Sequence, residues 1–251
     1  MGHSGPPAAI LNTPVSIIAG IHPVREALRA GRQLDRILIA KGAGGPKLQE
    51  IIDLARQADV SIRFEPREAL ERAAKGSVHQ GVIAFGAAQK FATLDDLKSA
   101  QCLVILDGVE DPHNLGAIIR SAHAAGVDAL LIPDRRAAGI TETVTKASAG
   151  AIEHLPIIKI GNVRQEMDKL KEQGYWIYGL DERGEQDYDQ TPFSAPTVFI
   201  LGGEGKGLHE HVRKQCDVVL RIPMAGAIAS LNVSVAAGII LFEWRRRKMR
   251  S

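Results

Sequence analysis

The chain has 251 residues, of which 45% are hydrophobic and 24% charged, a balance that excludes a disordered, collagen-like or coiled-coil protein. Lys and Arg total 31 against 29 Asp and Glu, so the net charge of +2 gives no bulk attraction for a polyanion, and an anionic partner has to be met by local patches. No apolar run approaches the roughly 18 residues of a membrane helix; the longest C-terminal stretch, Val233–Phe242, is about half that.

Residues 1–14 carry no basic segment followed by a long apolar core and read as a tail, not a signal peptide. Between Val15 and Ala88, strand-like runs at Arg36–Ala40, Val60–Phe64 and Val82–Phe85 alternate with helical segments at Pro23–Arg29, Pro46–Gln57 and Pro66–Ala74. Leu48, Ile51, Ile52 and Ala55 recur at helical spacing and give the second helix one apolar face. This predicts a small α/β unit over 15–88. Residues 89–95 lose apolar periodicity and read as a linker.

From residue 96 to 251 the alternation is stronger. Strand-like runs fall at Cys102–Leu106, Ala129–Pro133, Ile157–Ile160, Trp176–Leu180, Val198–Leu201 and Val218–Ile222. Helical patterns separate them near Leu115–Ala125, Glu142–Ala149, Val163–Gln173 and Leu208–Gln215, and a last one follows at Leu231–Lys248. Apolar strands alternating with helices predict an α/β fold with a mostly parallel sheet covered on both faces. Ligands of such sheets bind beyond the carboxyl ends of the strands.

Three loops placed there hold the unusual residues. After Leu106 comes Asp107-Gly-Val-Glu-Asp-Pro-His-Asn-Leu-Gly-Ala-Ile-Ile-Arg120, in which Asp111 or Asn114 can cap a helix that Gly126 ends. Gly116 allows close packing, and Arg120 is either a solvated helix residue or aimed at the loop cluster. After Leu201 comes Gly202-Gly-Glu-Gly-Lys-Gly207. Its glycines let backbone approach a ligand, and the following helix start offers an anion site. It is neither a Walker loop nor a dinucleotide fingerprint. After Ile222 comes Pro-Met-Ala-Gly-Ala-Ile-Ala-Ser230-Leu-Asn232-Val-Ser234, where Ser230 reads as a helix cap and Asn232 as a first-turn donor.

Asn114-x-Gly116-x-x-x-Arg120, Leu201-Gly-Gly-Glu-Gly205, and Ile222-Pro-Met-x-Gly with Ser230-Leu-Asn-Val-Ser234, in this order, resemble the three motifs of the SpoU/TrmH family of SPOUT methyltransferases. Gly20-Ile-His-Pro-Val-Arg-Glu-Ala-Leu28 and His79-Gln-Gly-Val82 extend the likeness to the N-terminal domain of the RlmB-type 23S rRNA guanosine 2'-O-methyltransferases. The resemblance implies a parallel sheet tied in a deep trefoil knot, preceded by an L30-like RNA-binding domain. It implies S-adenosylmethionine held by Leu201, Gly202, Ile222, Met224 and Leu231. It also implies a homodimer in which Arg120 of one subunit reaches the other's site. Asn114, Arg120, Glu204, Ser230 and Asn232 are then the catalytic candidates, with Glu204 holding Arg120 or accepting a hydrogen bond.

The implied partner is RNA, with 23S rRNA favoured over tRNA; no CxxC or HxxxH spacing suggests a metal. A catalytically idle RNA-binding assembly factor and a nucleotide-binding oxidoreductase are the readings from other classes. Candidate RNA patches are Arg245-Arg-Arg-Lys-Met-Arg250 and Arg135-Arg136, against the reading of the former as a solvated helix end. Aromatic residues are only 4%, which disfavours an extended stacking platform. Cys102 and Cys216 form no disulfide framework and imply a reducing, cytoplasmic setting. His22, His79 and His113 read as hydrogen-bonded loop residues.

Overall fold

The computed structural model describes residues 15–249 apart from 75, 88–90, 98, 136, 194–195, 206 and 228–229. Two sheets organise them. The first contains β1 (Val15–Ala19), β2 (Leu34–Ala40), β3 (Ser61–Glu65) and β4 (Val82–Ala87) in the order β1-β4-β2-β3. Here β4 runs antiparallel to both neighbours, while β2 and β3 are parallel. Helices α1 (Ile21–Arg29) and α2 (Pro46–Gln57) bury Val24, Ala27, Leu48 and Ile51 against Ile18, Ile37 and Ile39 on one face. Helix α3 (Arg67–Ala74) covers the other through Leu70 and Ala74. Strand β1 was not among the expected runs. Its five residues are too short a pattern to distinguish from a buried loop, and pairing with β4 is what makes them a strand.

The second sheet contains β5 (Cys102–Asp107), β6 (Ala129–Pro133), β7 (Ile157–Ile160), β8 (Trp176–Leu180), β9 (Gln186–Asp187), β10 (Thr197–Gly202) and β11 (Val218–Arg221). Their order is β7-β6-β5-β10-β8-β11-β9, and every pairing is parallel. Alternate residues of β5 face opposite layers. Cys102, Val104 and Leu106 meet α4 (Pro112–Ala125), α5 (Glu142–Ala147) and α8 (Val233–Lys248); Leu103 and Ile105 meet α6 (Val163–Glu172) and α7 (Glu210–Arg213). Burial on both faces is why these strands read as continuous apolar runs.

Several element ends differ from expectation, each for a local reason. Helix α4 starts at Pro112 instead of Leu115, because Asp111 accepts from the His113 amide at 2.8 Å and Pro112 suits the first turn. Helix α8 starts at Val233 instead of Leu231, because its cap is Asn232, not Ser230. The helix expected over 208–215 shrinks to α7, since the amides of Leu208 and His209 are bound to Asp181 and Asp107. Strand β9, only two residues long, has no periodicity to read. From β5 the chain turns one way to β6 and β7, whereas β10, β8 and β11 lie on the other side. The carboxyl ends of β5 and β10, paired at Leu106–Leu201 and Asp107–Gly202, therefore flank a switch point of the sheet.

Candidate active site

A cleft opens at this switch point, walled by the strand ends and the loops that follow them. All five expected cofactor contacts, Leu201, Gly202, Ile222, Met224 and Leu231, line it. Leu180, Val233 and Ala236 complete its apolar walls. Its charged residues are Asp181, Glu182 and Glu204, and no Lys or Arg lines it among the described residues. Apolar walls, open backbone and three carboxylates suit an uncharged aromatic base and a sulfonium. The residues present thus fit S-adenosylmethionine. The anion site expected at the helix after Gly207 is not formed there, since α7 begins only at Glu210 and has four residues.

The glycines after β10 are required by the chain itself. A Cβ on Gly202 would stand 2.2 Å from the Gly207 carbonyl carbon, and one on Gly203 would stand 2.3 Å from the Gly108 oxygen. Gly207, at φ +63°, would put a Cβ 2.5 Å from Asp181 Oδ2. The space left by these hydrogens is filled by protein backbone and Asp181, not kept for a ligand. Gly202→Ala is accordingly expected to spring the 203–208 loop, lowering Tm and cofactor affinity together. Calorimetric titration and a thermal melt on the same sample check this; lost affinity at an unchanged Tm would place the Gly202 contact with the ligand instead.

Asp181, in the loop after β8, was missed by sequence reasoning. Its buried carboxylate accepts from the Arg183 amide at 3.0 Å, from Arg183 Nε and Nη2 at 2.8 and 2.9 Å, and from the Leu208 amide at 3.0 Å. Burial works against its ionisation, but these bonds and the Arg183 charge outweigh it and hold the group at about 2. Asp107, equally buried, binds the His209 amide at 2.9 Å and faces its Nδ1 at 2.9 Å. Only the position of Leu180-Asp181 and Leu106-Asp107 at strand ends hinted at either role.

The catalytic candidates converge in part. Asn232 Oδ1 caps α8 by accepting from the Ser234 and Val235 amides, at 2.9 and 3.4 Å. Its Nδ2 donates to Asn114 Oδ1 at 3.0 Å, and Asn114 Nδ2 donates in turn to Glu204 Oε1 and, at 3.4 Å, to Asp111 Oδ2. The carboxylates fix which way the Asn114 amide points, since they only accept. One line of hydrogen bonds thereby joins the three loops. Gly116 allows this: a Cβ there would stand 2.4 Å from Ala147 Cβ, so α4 lies directly on α5. Ser230 lines the cleft. Within the chain Glu204 accepts a hydrogen bond from Asn114, the second of its expected roles. Arg120 is exposed on α4, outside this line, and no ion pair is seen for it among the described residues.

The remaining candidates are peripheral. Arg246 and Arg247 both pair with Glu243, which leaves the C-terminal basic run partly neutralised; Arg250 and Arg136 lie outside the described residues. His79 is buried with Nδ1 accepting from the Gly81 amide at 3.1 Å. Burial pushes the Cys216 thiol up to about 12 and raises that of Cys102 well above its usual value, so neither is poised to react.

Comparison with known proteins agrees with this geometry. Residues 101–242 match the SpoU rRNA methylase family, and residues 17–92 match the RNA 2'-O ribose methyltransferase substrate-binding family. A Bacillus subtilis protein named as a TrmH family tRNA/rRNA methyltransferase, YacO, is 40% identical over 92% of this chain and 95% of its own. The structure of an rRNA methyltransferase from Sinorhizobium meliloti with bound AdoMet superposes with a TM-score of 0.78 at 25% identity, covering 92% of this chain and 87% of that one. An A. aeolicus TrmH/SpoU tRNA modifying enzyme superposes with a TM-score of 0.55 at 31% identity, covering 62% of this chain and 83% of its own. With the family match spanning most of the catalytic part and the relatives spanning nearly all of it, this chain belongs to the SpoU/TrmH family of S-adenosylmethionine-dependent RNA 2'-O-ribose methyltransferases.

Proposed function

We propose that this enzyme methylates the ribose of a guanosine in 23S rRNA, in the cytoplasm, as a homodimer whose sites each draw Arg120 from the partner chain. The observation that supports rRNA over tRNA is the N-terminal part. The S. meliloti rRNA enzyme aligns across both parts, whereas the tRNA modifying enzyme aligns over 62% of this chain. Residues 15–88 are the RNA-binding domain in this reading, 89–95 the linker and 96–251 the catalytic domain. Guanosine follows from the likeness to the RlmB-type enzymes. We read the crossovers that carry the chain among β8, β10 and β11 and then back onto α4 as the trefoil knot.

S-adenosylmethionine, when bound, supplies a methyl group on a sulfonium whose positive charge is lost on transfer. Leu201, Gly202, Ile222, Met224 and Leu231 hold it. The work left to the chain is to align the 2'-hydroxyl and manage its proton. Asn232 and Asn114, fixed by their mutual hydrogen bond, orient the ribose, with Ser230 beside them and Glu204 as the carboxylate end of the line. Arg120 has almost no neutral form, so it grips a phosphate or the developing alkoxide instead of removing the proton. The dimer is favoured by α8 and its C-cap, where Val235, Phe242 and Met249 recur every seven residues at 50%, 50% and 75% exposure.

The test is to incubate the enzyme with labelled S-adenosylmethionine and unmodified 23S rRNA or tRNA transcripts, then map ribose methylation. A single methylated guanosine in 23S rRNA is expected. Methylation of tRNA alone overturns the substrate, and RNA binding without methylation leaves an assembly factor.

A further inference from the structure

The two parts of the molecule meet at a short turn. Ala151–Glu153 form one turn of 3-10 helix, and Ala151, Ile152 and Leu155 belong to the core that also packs α4. Glu153 and His154 on the same turn reach across to the N-terminal part. The Arg32 guanidinium is anchored in that part first: Nη2 donates to Ser16 Oγ and to the Ala87 carbonyl, both at 3.0 Å. Its Nη1 then reaches Glu153 Oε1 at 2.6 Å, with the side chains only 10% and 4% exposed.

A second contact lies beside the first. Glu26 of α1, bound by Arg25 and Arg29, faces His154 Nε2 at 3.0 Å. Gly150, at φ +87°, lies flat against it; a Cβ there would stand 2.6 Å from Glu26 Cγ. On its other side His154 stacks on His123 of α4, ring centres 5.3 Å apart. A continuous chain of contacts thus runs from α1 and the 30–33 turn through 150–154 to α4, the helix that carries Asn114 and Arg120.

The ion pair is poorly explained as a source of stability. Burial pushes the Glu153 carboxyl up, and the Arg32 charge pulls it only partway back. A buried pair of this kind contributes little against an apolar contact of equal volume, yet losing one partner strands the other, so it selects one arrangement over its neighbours. We infer that Arg32 and Glu153 are positioning residues that lock the N-terminal unit in one orientation on the 150–154 turn, delivering RNA bound there in register with Asn114 and Arg120. This rests on the reading of residues 15–88 as the RNA-binding domain.

The test uses the full-length enzyme with spin labels at the exposed positions Asp53 and Glu172, diluted with unlabelled chain so that one labelled chain per dimer is observed. The parent enzyme is expected to show one narrow distance, and Glu153→Gln and Arg32→Met a broad one with the thermal melt of each part retained. In the same variants KM for the long RNA transcript should rise at least about tenfold, while kcat at saturating RNA and cofactor affinity stay within about twofold, because apparent affinity falls with the fraction of chains in the competent orientation. The double variant Arg32→Met/Glu153→Met should restore both the narrow distance and the KM, since an apolar pair tolerates the burial. A narrow distance in both single variants, or a broad one with unchanged KM, overturns the lock. So does a fall in cofactor affinity that parallels the KM. Should the parent enzyme methylate the tRNA transcript only, the rRNA reading has failed, and the same comparison on tRNA still decides the lock.

Discussion

Arg120→Ala is expected to slow methyl transfer by about 100-fold or more while leaving S-adenosylmethionine affinity unchanged, the scale of losing one preorganised charge-stabilising donor. Arg120 follows Asn114 on α4 by about one and two-thirds turns, roughly 9 Å along the axis and some 120° away around it. The buried neighbours Ile118, Ile119 and Ala122 turn the core face of the helix inward and leave Arg120 outside. It is therefore directed away from the Asn232–Asn114–Glu204 line of its own chain, as the composite site proposed above requires. Arg120→Lys should recover little, since an ammonium lacks the planar fork that grips two oxygens. A solvated helix arginine would instead shift stability by only about 0.5 kcal/mol and leave the rate alone. Single-turnover methylation at saturating cofactor separates the two. Mixing Arg120→Ala chains with Asn232→Ala chains should return partial activity if each site is composite; no recovery would make each chain self-sufficient.

Asp181→Asn is expected to weaken cofactor binding by at least about tenfold and to cost about 2 kcal/mol of stability, the order for charge-assisted hydrogen bonds lost from a buried carboxylate. The variant amide would point a donor at either the Leu208 amide or Arg183, both of which are donors themselves. The effect has a sign in pH. Asp181 sits at about 2 when folded against an ordinary 3.8, so its stabilisation is complete above about pH 4 and is lost as pH falls toward 2. Denaturant unfolding should show the gap between the parent and Asp181→Asn narrowing across that window. A gap independent of pH would mean that shape, not charge, carries the effect.

The parallel sheet was legible because its central strands are buried on both faces. Runs such as Cys102–Leu106 and Ala129–Ile132 contain nothing that water would keep. Strands β1 and β9 were not legible, because each owes its form to a partner strand and not to its own pattern. Polar residues placed after strands made Asn114, Glu204 and Asn232 visible. Asp181 escaped notice because Asp181-Glu-Arg183 reads as an ordinary charged turn; its role depends on the Leu208 amide, 27 residues further on. The Asp107–His209 pair, 102 residues apart, was hidden for the same reason. The cap of α8 went to Asn232 in place of Ser230 because one oxygen there satisfies two amides while the other end of the amide reaches Asn114.

The backbone-to-backbone packing of Gly202, Gly203 and Gly207 bears on how this enzyme could be altered to transfer something larger than methyl. That floor offers nothing to redesign, since an added atom collides with main chain at Gly202 and Gly203 and with the Asp181 carboxylate at Gly207. Room has to be made at the opposite rim, where Met224 and Leu231 stand 39% and 37% exposed and can be shortened without opening the core. Sulfonium donors with extended alkyl groups would then gain entry through side chains alone, leaving recognition of the rest of the donor to the unchanged main chain.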